Sequence, residues 1–278
     1  MKTFGHVKFL TQGGGFFSNF CSVMSMVIDC HNRGIQPYVD LRRTSFVEGY
    51  NPYFDEVPVN PDNPWDWWFD QEQPSSEDTL VEVEFAPTKN FAHDVHVWKR
   101  EDIPFARMVF DKYLHIKPHI IDRATKYYNE SLKGYVVLGV MARGGEFNTY
   151  HPEFGKHNIN SWIDGISKMV KRYPDINKVF LVTEDNTYIQ PICDAYPNTV
   201  YLDVFRRTKE SLSFMINTPL WPSMNSPRPD HCRLLGEECL IQALLLGMCD
   251  YMCVKQCGTA NGAVFLANEN LKDVYYLT

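Results

Sequence analysis

The stretch from Tyr135 to Asp203 constrains the fold most. It holds three short apolar runs, Val136–Val140, Val179–Val182 and Thr199–Leu202, separated by a segment of helical character and then by a shorter one. Short apolar runs alternating with helices mark buried parallel strands, here in the order β-α-β-α-β. The first run leads into Arg143-Gly144-Gly145-Glu146 and the second into Thr183-Glu184-Asp185. Ligands of parallel sheets gather where the strands end, so these charged turns are where an active site belongs.

The N-terminal part repeats the theme. A strand is expected at Val7–Leu10 and a glycine-rich turn at Thr11–Gly15, which includes Gly14. A helix follows from about Ser18 to Asn32, capped by Ser18 or Asn19 and ended by Gly34, and then a strand at Gln36–Leu41. The turn lacks a full GxGxxG and is either a plain tight turn or a loop that meets a ligand. From Arg42 to Glu84 the periodicity dissolves into proline, aromatic and acidic residues, with Trp65, Trp67 and Trp68 beside Asp66 and Asp70. Indoles stack on sugar rings while carboxylates accept hydrogen bonds from hydroxyls, so this loop suits a carbohydrate. A large loop that buries its tryptophans is the other reading, and both stand. Further on, His115 and His119 have the spacing of a helical metal pair, but Pro118 between them marks a helix start or break.

Beyond the central stretch, Phe205–Glu210 is cationic, with Arg206 and Arg207. Residues 229–248 carry a helical apolar face, Asp250–Val254 is a strand, and Gly258-Thr259-Ala260-Asn261-Gly262 opens another helix. Small residues at a helix start expose N–H groups that can seat a pyrophosphate. Lys272–Leu277 either adds a last strand or returns to the first half. The expectation is an α/β chain of two facing Rossmann-like domains, 1–130 and 131–278.

Composition removes several alternatives. A net charge of −7 over 278 residues argues against a nucleic-acid or membrane-surface binder, which needs an excess of Lys and Arg. No run approaches the ~18 apolar residues of a membrane span, and the N-terminus does not read as a signal peptide, so a soluble cytoplasmic protein is expected. The eight cysteines form no CxxC pairs, which points to reduced, buried thiols and no structural metal. Cys249, Cys253 and Cys257 are spaced like a ligand stripe but are read as core.

Several segments resemble one family in the same order. VVLGVMARGGEFNTYHP is similar to the strand and loop of fucosyltransferases of the α-1,6 and O-linked type, whose motif reads His-x-Arg-x-Gly-Asp. Here Met141 replaces the His and Arg143 keeps the Arg. Tyr150-His151-Pro152 looks like the His-Pro that follows in the α-1,6 enzymes. LVTEDNTYIQPICDAYPN matches their Thr-Asp-Asp strand end, helix and Tyr-Pro-Asn, and LLGEECLIQALLLGMCDYMCVKQCGTANG their leucine-rich helix, strand and small-residue loop. GGGFFSNF and PWDWWFD are similar in style to their glycine-rich loop and Trp-Phe segment. The resemblance covers most of 136–266 and, more loosely, 11–70.

It implies a GT-B fold and an inverting, metal-independent glycosyltransferase. It further implies a GDP- or UDP-linked sugar donor on the C-terminal domain, an oligosaccharide acceptor on the N-terminal one, and no further cofactor. Displacing a sugar from a nucleoside diphosphate builds negative charge on the leaving phosphate, and without a metal an arginine must meet it. Arg143 is the first candidate, then Arg206 or Arg207, although the Arg206-Arg207 pair reads equally as a solvated patch. The acceptor hydroxyl needs a base, for which Asp70 is proposed, with Asp66 and Glu146 behind it. Donor contacts are expected from Gly144, Gly145, His151, Glu184, Asp185, Arg206, Gly258, Thr259 and Asn261, and acceptor contacts from Gly14, Trp65, Asp66, Trp67 and Trp68. The replacement at Met141 leaves the sugar open between fucose and a pentose such as xylose. A non-catalytic, lectin-like relative is the alternative. A Rossmann oxidoreductase or hydrolase ranks last for want of GxGxxG.

Overall fold

The apolar runs form two separate parallel sheets. A computed structural model describes residues 1–8, 15–42, 62–83, 101–143, 158–206 and 228–277. The chain divides into two units, Met1–Ile121 with Pro227–Cys239, and Asp122–Ser226 with Leu240–Thr278. The first break thus precedes the expected one near residue 130, and a C-terminal segment belongs with the N-terminal unit.

In the first unit, β1 (Thr3–Val7), α1 (Phe16–Asn32) and β2 (Gln36–Val39) make the expected βαβ. The strand lies earlier than the Val7–Leu10 expected, because its register pairs Phe4 with Gln36 and Val7 with Val39. The helix also starts earlier, with Gly15 rather than Ser18 or Asn19 at its N-cap; Asn19 instead donates from Nδ2 to the Gly15 carbonyl at 3.1 Å. At the other end Gly34 takes φ +67°, its N–H reaching the His31 carbonyl and that of Ile35 the Cys30 carbonyl, a Schellman closure.

The proline- and tryptophan-rich stretch holds more order than its periodicity indicated. It contains a 3₁₀ turn (Pro64–Trp67), β3 (Phe69–Gln71) and β4 (Thr79–Val83). Strand β4 adds to the other side of β1, giving a parallel order β2-β1-β4. After α2 (Ile103–Tyr113), β5 (Leu114–Ile116) pairs antiparallel with β3, and α3 (Pro118–Ser131) opens on Pro118. His115 therefore lies on a strand and His119 on a helix, and the two share no helical face.

The core of this unit is aromatic. Trp65 stacks on Phe69 at 4.3 Å between centroids and on Phe20 at 6.2 Å, and Phe16 meets the edge of Trp68. Gly236, in the returning segment, lies so close to Trp68 that a Cβ there would overlap the indole, whose Nε1 donates to the Arg233 carbonyl at 2.9 Å.

The second unit is built from β6 (Val137–Met141), α4 (Ile159–Arg172), β7 (Lys178–Val182), α5 (Ile189–Ala195) and β8 (Thr199–Val200), continuing into α6 (His231–Gly247), β9 (Tyr251–Val254), α7 (Gly258–Leu266) and β10 (Asp273–Tyr276). Helix α6 begins in the first unit and ends in the second. All five strands are parallel, in the order β10-β9-β6-β7-β8, so Lys272–Leu277 supplies a strand here. Helix α4 buries Trp162, Ile166 and Met169, a 3.6-residue stripe, and is capped by Asn158 accepting from Ser161 N at 3.1 Å. All eight cysteines are free, and Cys249, Cys253 and Cys257 are buried. Among the described residues no helix is long and apolar enough to cross a membrane.

Candidate functional site

The strand order of the second sheet determines where a ligand fits. The chain starts at the central strand β6, moves outward through β7 and β8, then crosses to β9 and β10 on the opposite side. The strand order reverses between β6 and β9, and open parallel sheets bind ligands beyond the carboxyl ends of the strands at such a switch point.

Arg143 follows β6 there. Its carbonyl accepts from Trp162 Nε1 at 3.2 Å, and Ala142 N extends the ladder to the Val182 carbonyl at 2.8 Å, so the backbone carrying the guanidinium is fixed from both sides. The side chain is about one-third exposed, and its Nε lies 3.5 Å from Oε1 of Glu184, which leaves β7. Cys257, which leaves β9, caps α7 without a side-chain hydrogen bond. Burial pushes its thiol up; Arg143 pulls it down and Glu184 adds to the rise, so both charges act at the start of α7. Lys255, only 1% exposed, lies just upstream. Gly258 and Thr259 are partly exposed in the first turn, while Asn261 is buried. A guanidinium braced by a carboxylate beside a helix N-terminus is suited to an anion.

Other expected donor residues are used differently. Asp185 is buried and caps the turn Asn186–Tyr188, accepting from Thr187 N at 2.9 Å and Thr187 Oγ1 at 2.6 Å. Arg206 turns back on its own segment, donating to the carbonyls of Val204 and Leu202 and lying over the Tyr201 ring. Gly14, Gly144, Gly145, Glu146, His151 and Arg207 fall outside the described residues.

In the first unit, Trp65 and Trp68 are core residues at 1% and 0% exposure, Trp65 stacked on Phe20 and Phe69 and Trp68 packed against Phe16 and Gly236. This corrects the expectation that they stack on an acceptor. Trp67 keeps partial exposure. Asp70, the expected base, is exposed on β3 in an ion pair with Lys117 at 3.0 Å. Asp66 is half-buried, and burial raises its carboxyl above the usual range although Gln71 Nε2 donates to it at 2.8 Å.

A second polar cluster lies at the carboxyl ends of β1 and β2. His6 Nε2 is 3.1 Å from Asp40 Oδ2, and Asp40 accepts from Arg42 through Nε at 2.8 Å and Nη2 at 2.6 Å. Burial alone would raise Asp40, but the hydrogen bonds from Arg42 and His6 outweigh it and hold the carboxyl at about 2. The His6 ring stacks on Tyr38 with 5.7 Å between centroids.

No family model matches the sequence, and no curated protein matches it in a sequence search. Solved structures do. The α-1,6-fucosyltransferase NodZ co-crystallised with GDP superposes with a TM-score of 0.54 at 14% identity, covering 96% of this chain and 93% of that one. NodZ from Bradyrhizobium gives 0.54 at 15%, covering 96% and 94%. A variant of Arabidopsis thaliana FUT1 in complex with GDP gives 0.50 at 11%, covering all of this chain and 70% of that one. The chain has a GT-B fold.

In that fold the two sheets offer two strand-end sites. The Arg143–Glu184 site was legible in the sequence because both residues directly follow apolar runs. The His6–Asp40–Arg42 cluster and Lys255 were missed. The signal for the first was available, since Asp40 and Arg42 follow an apolar strand as Arg143 does. For Lys255 no signal separates a buried lysine from an exposed one.

Proposed function

We propose that this protein is a nucleotide-sugar glycosyltransferase that moves a sugar from a nucleoside-diphosphate donor to a glycan hydroxyl, with inversion and without a metal ion. The observation carrying this reading is the position of Arg143, braced by Glu184 beside the start of α7, at the switch point of the second sheet. A diphosphate seated there receives helix N–H groups and a fixed positive charge. As the bond to the sugar lengthens, negative charge builds on the leaving phosphate, and Arg143 stabilises it more in the transition state than in the ground state. Gly144, Gly145, His151, Arg207, Gly258, Thr259 and Asn261 complete the donor site in this reading, and Trp67 and Asp66 serve the acceptor.

GDP-fucose is the first donor to test, because NodZ and FUT1 were solved with GDP; UDP-xylose is the second, because Met141 alters the fucosyltransferase motif. The lectin-like alternative loses its platform with the burial of Trp65 and Trp68. A ligand held only by the folded state raises the melting temperature, by about 2.7 kcal/mol of stability at a hundred times its Kd. GDP and one of the two donors are expected to shift the melting curve by several degrees in EDTA, and Arg143→Ala to lose most of that shift while melting normally by itself. No shift and no calorimetric heat with any nucleotide overturns the reading, and a shift that requires manganese overturns its metal-free part.

A further inference from the structure

Beyond the carboxyl end of β2, within the first unit alone, opposite charges stand close without pairing. Asp40 is buried and accepts from Arg42 through Nε and Nη2. That grip fixes the plane of the guanidinium, and the hydrogens on its Nη1 have no partner among the described residues. The hydrogen bond to Asp40 raises the Arg42 guanidinium above its ordinary range, and the charges of Asp40, Tyr38 and Asp66 add to the rise. Asp66 is thus near enough to act on Arg42, yet among the described residues no ion pair joins them. Asp66 is half-buried and has capacity to spare. Gln71 accepts from Val39 N at 2.9 Å and donates to the Val39 carbonyl at 2.8 Å, and so locked it also donates to Asp66 Oδ1 at 2.8 Å. Oδ2 receives a long hydrogen bond from Gln73 Nε2, at 3.4 Å. Trp67, from the same 3₁₀ turn as Asp66, is partly exposed and meets Trp68 edge to face with 5.4 Å between centroids. Lys117, ion-paired with Asp70 at 3.0 Å, also lies near enough for its charge to act on Asp66. A rigid indole, a fixed donor and an under-used acceptor are the parts that hold a sugar.

We propose that Arg42, Asp66 and Trp67 form the acceptor subsite, and that it takes an uncharged pyranose with two adjacent free hydroxyls. One hydroxyl donates to Asp66 Oδ2, its neighbour accepts from Arg42 Nη1, and a face of the ring lies on the Trp67 indole. The pair of hydroxyls bridges two charges that the protein leaves unjoined. Charge also sets the class of sugar. The cations Arg42 and Lys117 stand among three carboxylates, Asp40, Asp66 and Asp70, so a uronate or a phosphorylated sugar meets net repulsion. The assignment rests on the glycosyltransferase reading for what becomes of the sugar, whereas the binding itself involves the first unit only.

Calorimetry and tryptophan fluorescence on the full chain, without nucleotide, test this with hexasaccharides of glucose, galactose and N-acetylglucosamine and with the hexamer of galacturonic acid. At least one neutral hexamer is expected to bind and to change the fluorescence, and the galacturonate hexamer to bind about 10-fold more weakly or not at all. Asp66→Asn keeps an oxygen for Gln71 but removes the charge, and Arg42→Lys keeps a cation for Asp40 but removes the fork. Each should weaken the glycan about 10-fold, with a cooperative melt and the GDP-induced shift retained. Trp67→Phe should abolish the fluorescence change. Unaltered glycan affinity in folded Asp66→Asn and Arg42→Lys overturns the site, as does the failure of every neutral hexamer to bind. Galacturonate binding as tight as the neutral sugars overturns the class of ligand. If GDP still raises the melting temperature in those cases, the glycosyltransferase reading survives without this subsite. Glycan binding that follows the predicted variants in a protein that no nucleotide stabilises overturns the transferase reading and leaves the subsite standing.

Discussion

His231, in the segment that returns to the first unit, shows how one side chain couples this fold to pH. It is buried, and its Nδ1 accepts from Arg228 Nε at 3.2 Å. Burial, then the Arg228 charge, lowers its pKa from 6.5 to about 4. The folded state holds the ring neutral while the unfolded chain takes a proton below pH 6.5. Its contribution is therefore complete above that pH and drains away as pH falls through about 4. The loss should be on the order of 2 kcal/mol between pH 7 and 4. Asp40 acts in a lower window, since its stabilisation is present above its usual 3.8 and fades toward about 2. Urea titrations at pH 7, 5 and 4 should show a midpoint that falls with acid in the wild type and falls less in His231→Gln.

At the scale of elements, contact between the returning segment and the aromatic core rests on the absence of one carbon. Gly236→Ala drives a methyl group into Trp68, and overpacking of this kind costs roughly 1–3 kcal/mol. A lower urea midpoint with an unchanged slope is the expected result. The tight spot was invisible in the sequence, because Gly236 sits inside a helical pattern with nothing to show which indole faces it. Elements read well where burial is two-sided. The runs at β6, β7 and β9 were apparent because strands covered on both faces are continuously apolar. Strand β4, Thr-Leu-Val-Glu-Val, was missed because most of its side chains are exposed and, among the described residues, it pairs on one side only. The tryptophans were misread in part because composition does not tell an indole that stacks on sugar from one that stacks on phenylalanine.

At the scale of the whole molecule, the first unit is discontinuous. Residues after Ile121 belong to the second unit until Pro227 brings the chain back, and Trp68 then finds both Gly236 and the Arg233 carbonyl. A fragment ending at Ser131 lacks that cover on its largest aromatic cluster. It should show no cooperative thermal transition and should bind a hydrophobic dye, whereas the full chain melts cooperatively; a sharp transition in the fragment would count against the division. The site candidates divide along the same line. Arg143 and Glu184 were legible because they belong to one continuous β-α-β run, whereas His6 and Asp40 meet only through strand pairing.

The same discontinuity bears on synthesis. A ribosome delivers the chain from its N-terminus, so β6, α4, β7, α5 and β8 have all been synthesised before Arg233 exists. The half of the protein that is begun first can be completed only after most of the other half has emerged, and until then its tryptophans await a lid still to be translated.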